Sequence, residues 1–136
     1  QEFAVKTASP GSGRATLASM TGTGTATHMD QESARIIART CDPITLARHP
    51  DLEQRIMYAF IHVTHGYMES WWQRECPRVV ESVARETGVD WGTAEWLALA
   101  AMHAVIICDT PVTPTVVQAL AYQAALVYLT EQENNR

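Results

Sequence analysis

Four side chains are the best equipped to hold a metal or a small ligand: His62, His65 and Glu69 in one segment, and His103 in another. On a helix, His65 and Glu69 stand four residues apart and His62 lies one turn before His65, so the three would project from successive turns. Imidazole and carboxylate are ordinary ligands for divalent metals. His103 is the one clearly polar residue between Trp96 and Cys108. Burial would oblige it to find a hydrogen-bond partner or a ligand.

The His65-x-x-x-Glu69 element resembles the iron sites of the hemerythrin-like family, although the further spaced histidines of that family are absent here. A lone buried histidine is more often satisfied by a carbonyl or a hydroxyl. No cofactor is therefore expected, and ligand or metal binding at His62, His65, Glu69 and His103 stands as an alternative.

A second alternative is DNA reading by residues 79–98, VVESVARETGVDWGTAEWLA. In its framework positions the segment looks like a helix-turn-helix: small Ala84 in the first helix, Gly88 at the turn, and Val83, Val89, Ala94 and Leu97 around them. The positions that would face DNA are Asp90, Trp91, Thr93 and Glu95, and none is a base for phosphate or guanine. The chain carries a formal charge of −5, which also disfavours a nucleic-acid partner. Any two short helices joined by Gly-Val-Asp would fit the same framework.

The third constellation is aromatic and basic. Adjacent Trp71 and Trp72 point about 100° apart on a helix, so a small core cannot bury both. With Arg74 and Arg78 close by, they have the composition of a contact hot spot. Catalysis has less to stand on. Glu69, Glu75, Glu81, Glu86 and Glu95 are read as helical and mostly solvated, no spacing forces a pair together, and no glycine-rich phosphate loop follows a strand. The three cysteines, Cys41, Cys76 and Cys108, lack paired metal-ligand spacing and fit buried, reduced thiols.

The elements that must position these groups are helices. Residues 1–29 are rich in Gly, Ser, Thr and Ala. Ala18-Ser19-Met20-Thr21-Gly22 is similar to part of a vector epitope tag, so a disordered tag-and-linker leader is expected here. Residues 30–136 form one expected domain. Asp30 is placed as the cap of a first helix through Cys41, ended by Asp42-Pro43. A linking stretch leads to a long helix from Asp51 to Glu75, with Pro77 as a kink or a new start. A short helix follows from Arg78, closed by Gly88. Asp90 caps a helix running to Cys108, which is apolar on all sides and therefore buried. Thr113-Pro114 starts the last helix, with Val117, Leu120, Ala121, Ala124 and Tyr128 on one side.

The expected fold is thus all-α, a compact bundle of about five helices around a buried central helix at about 91–108. No run is long enough to span a bilayer. Three cysteines, odd in number and in apolar or helical contexts, fit a reduced cytoplasm, and a cytoplasmic domain is expected. The expected function is that of a small, non-catalytic accessory or regulatory protein. It would bind a protein partner, or itself as a homodimer, through an apolar helical face centred on Trp71, Trp72, Arg74 and Arg78.

Overall fold

Three helices begin by one device. Asp42 Oδ1 accepts from the Thr45 N–H at 2.8 Å, Asp90 Oδ1 from Thr93 at 2.7 Å, and Thr113 Oγ1 from Val116 at 3.2 Å. Each cap satisfies one of the orphan donors of a first helical turn. Pro43 and Pro114 follow two of these caps, where a missing N–H costs nothing. The computed structural model describes the backbone of residues 24–62 and 66–135, and the side chains of 29–61 and 74–135.

Six helices are present among the described residues: α1 (Gly24–Thr40), α2 (Pro43–Arg48), α3 (Leu52–His62), α4 (Gly66–Thr87), α5 (Trp91–Ile107) and α6 (Pro114–Asn134). They pack as an all-α bundle. α5 is the axis and touches α6, α1, α4 and α3. Around it, α3 packs on α1, α1 on α6 and α6 on α4. Every residue of α5 from Thr93 to Val105 is buried, as an apolar, unsided helix requires. Ile36 and Ile37 of α1, Leu52 and Ile56 of α3, Val79, Val80 and Val83 of α4, and Val117 of α6 close the core around it. No helix among the described residues is long and apolar enough to cross a membrane.

Three boundaries differ from the sequence expectation. α1 starts at Gly24, inside the stretch read as leader, and Met29 packs against the core. Asp30 is therefore not a cap. It lies within the helix, its Oδ1 is enclosed without a hydrogen-bond partner, and burial raises its pKa above the usual carboxylate value. The stretch after Pro43, expected as a link, folds as α2. Within the expected helix 51–75, α3 is helical to His62 and α4 from Gly66, and residues 63–65 between them lie outside the described residues. Pro77 does not break α4, which runs through it to Thr87. Pro77 is exposed, so water can reach the backbone carbonyl that the proline leaves without a donor.

The turn between α5 and α6 is a Schellman closure. The Thr110 N–H donates to the Val105 carbonyl and the Asp109 N–H to the Ile106 carbonyl, both at 3.0 Å. Asp109 takes the left-handed conformation there, at φ 59°, where glycine is the usual residue. Gly88, at φ 89°, fills the equivalent place after α4. On the opposite side, Glu131 holds α6 to α1. It accepts from Arg35 at 2.6 Å and 3.3 Å and from Arg39 at 2.6 Å, and these guanidinium contacts lower its pKa.

Candidate interaction surface

α6 is capped by Thr113 and turned inward by Val117, Ala121, Ala124 and Ala125, which are all buried. Its opposite side consists of Val116, Ala119, Gln123, Leu126 and Thr130, spaced by alternating steps of three and four and all exposed. From Pro114 to Thr130 the helix carries no charged residue. An ordinary surface helix shows charged or strongly polar groups to water on its outer side. Here the outer side is as neutral as the inner one. Charge depletion, rather than bulk apolarity, is what marks the centre of a protein interface.

Two grooves flank this outward line. One, of about 530 Å³, runs between α6 and the ends of α1 and α5, with Val116, Leu120 and Ala104 on its walls and Cys41 and Cys108 beside them. The other, of about 400 Å³, lies toward α4 between Glu86, Gln118 and Tyr122. Gln118 Nε2 donates to Ser82 Oγ at 2.8 Å, which fixes the second groove's floor by tying α6 to α4. The result is a neutral ridge with a furrow on each side, the relief that a second helix needs in order to seat its own ridges.

The two thiols in the first groove do not point to nucleophilic chemistry. Burial, with Cys108 and Asp42 nearby, pushes Cys41 up to about 11. Burial also raises Cys108, against a lowering influence from Arg55. Both therefore stay protonated at neutral pH, and a thiol rather than a thiolate is a poor nucleophile.

The residues singled out from the sequence are distributed as follows. Arg74 and Arg78 are exposed on α4, one turn apart. The side chains of their companions Trp71 and Trp72 lie outside the described residues, as do those of His62, His65 and Glu69. His103 is 2 % exposed in α5, with its ring edge-to-face on Phe60 of α3 at 5.4 Å. Phe60 packs in the same way on Trp96. His103 thus stands near the end of α3 that carries His62. Among the described residues no group of three or more His, Cys, Asp or Glu could hold a metal ion.

The helix-turn-helix set divides. Asp90 and Trp91 are exposed, with the Asp90 carboxylate engaged as the α5 cap, whereas Thr93 and Glu95 are buried at 8 % and 7 % exposure. Buried residues present nothing to a DNA groove. The reading of Glu95 as a solvated carboxylate is corrected for the same reason: the helix that carries it is enclosed by four others.

The sequence reading missed Val116, Ala119, Gln123 and Leu126. It followed the inward stripe of α6 and did not ask what stood behind it. The signal was the 114–130 run itself, which is uncharged on every side although the helix lies at the surface. No family model matches the chain, and no match emerges among curated proteins or solved structures.

Proposed function

We propose that the chain is a non-catalytic helical interaction module, an accessory or regulatory protein whose contact surface is the outer side of α6 with its flanking grooves. The observation that carries this reading is the charge-free run of exposed Val116, Ala119, Gln123 and Leu126. Exposed neutral patches rimmed by polar residues mark interaction sites. The polar rim is present here as Arg39, Glu86 and Glu133, all exposed. The proposal moves the contact from Trp71, Trp72, Arg74 and Arg78 to α6. Cys41 and Cys108, both half-buried free thiols, fit a reducing compartment such as the cytoplasm.

The test is site-specific photo-crosslinking in cells. A benzophenone amino acid replaces either Leu126 on the α6 face or Arg85 on the charged side of α4. Discrete adducts from position 126 that are absent from position 85, and that Val116→Lys removes, support the reading. Equal yields from both positions, or none from 126, overturn it.

A further inference from the structure

We infer that the occupant of the α6 face is a second copy of this chain, docked with the two α6 helices antiparallel and Gln123 of one copy against Gln123 of the other. This rests on the reading of α6 as the contact face and names its partner.

Two features favour a second copy. The chain is acidic, with a formal charge of −5, so two copies repel over most of their surface. The Pro114–Thr130 strip is an exposed face on which neither copy carries a charge, so two copies can meet there without that penalty. The strip also complements itself. A two-fold interface must match its own surface. Antiparallel pairing about Gln123 sets small Ala119 beside the larger Leu126 of the other copy, and Val116 beside Thr130. The two glutamine amides, each both donor and acceptor, then satisfy one another. A single polar residue in such a seam is the usual device for fixing register.

The ends of α6 fix the direction. Its first turn contains no acid and its last turn no base. Its negative C-terminal end carries Glu131 and Glu133. Glu131 is held by Arg35 and Arg39, whereas Glu133 sits exposed on the outward line. Antiparallel docking places Glu133 at the Thr113 end of the other α6, where the positive end of the helix dipole attracts an anion. Parallel docking would instead stack the two acidic ends on each other.

The test is sedimentation equilibrium on the full chain and three variants, Ala119→Lys, Leu126→Glu and the double variant. Circular dichroism should show unchanged helicity, because both positions are exposed. The wild-type chain is expected to dimerise at micromolar concentration, as suits a contact of one helix and its flanks. Each single substitution is expected to weaken the dimer by about tenfold or more, because a charge enters a neutral seam without a partner. The double variant is expected to recover most of that loss. In the antiparallel register, the new lysine at 119 meets the new glutamate at 126 of the other copy.

A double variant weaker than either single one overturns the antiparallel register, since parallel copies would set like charges together. A wild-type chain that stays monomeric at about 100 μM overturns the second-copy inference outright. In that case the crosslinks from position 126 still decide the α6 reading by themselves. A dimer that ignores all three variants overturns the inference and removes self-association as support for that reading.

Discussion

α5 and α6 are both helices without a polar side, yet they occupy opposite environments. α5 is enclosed by four neighbours, and its lack of a wet face is what burial demands. α6 has neighbours on one side only, and its outer residues Val116, Ala119, Gln123 and Leu126 are exposed although none is charged. The same composition is therefore explained by packing in one helix and unexplained by packing in the other. What folding leaves unexplained is the place to look for function.

The comparison can be broken by truncating a leucine in each helix. Leu99→Ala in α5, where the side chain is 1 % exposed, is expected to cost about 2–5 kcal/mol through lost burial and a residual cavity. Leu126→Ala in α6 is expected to change monomer stability by roughly 0.5 kcal/mol or less, as for an ordinary surface site. Urea unfolding of the two variants measures both, and equal losses would abolish the distinction between the helices.

The tether of α6 gives the next effect. Glu131→Gln should destabilise by roughly 1 kcal/mol at neutral pH, because Arg39 loses its anion and Arg35 keeps only Glu32. The Glu131 pKa is lowered in the folded state, so its contribution is present above the ordinary carboxylate pKa and is lost as pH falls through the lowered one. The wild-type advantage measured by thermal melts should accordingly fade below about pH 4. A difference that persists at pH 2 would assign the loss to packing.

The α5–α6 corner gives a smaller, opposite change. Asp109 holds a left-handed conformation and places an anion at the negative end of α5. Asp109→Gly relieves both and should stabilise by about 0.5–1 kcal/mol. A lower melting temperature would show that the aspartate makes a contact worth more than its strain.

The smallest effect concerns the groove between the two helices. With Cys41 at about 11, against an ordinary value of 9.0, it holds roughly a hundredfold less thiolate than a free cysteine at the same pH. Iodoacetamide at pH 8 should label Cys41 correspondingly more slowly in the folded protein than in urea. Rapid labelling would mean that the groove is open to water. A thiol pKa raised on folding also means that its stabilising share is present below pH 9 and is lost as pH rises toward 11.

Much of the fold was legible from local chemistry. Asp90 and Thr113 cap the helices they were expected to cap, Gly88 closes α4, and the unsided run from Trp96 lies at the centre as far as Val105. These are local facts: a side chain reaching three residues along the backbone, a glycine at positive φ, an apolar run with no face to wet. The proposed contact surface was not legible in the same way. Trp71, Trp72, Arg74 and Arg78 drew attention by residue type, whereas the α6 face is distinguished by what it lacks.

By itself, then, the sequence determined the all-α fold, where the helices capped by Asp90 and Thr113 start, and which helix is the axis, because each of these follows from interactions within a few residues or from mean apolarity. Only the tertiary structure decided that Glu95 is buried, that α4 passes through Pro77 and that one side of α6 is left uncovered. Periodicity assigns a face only to a helix that is amphipathic. In α6 it marked the inward stripe of Val117, Ala121 and Ala124, but whether the opposite, uncharged side is covered depends on which neighbours pack against it.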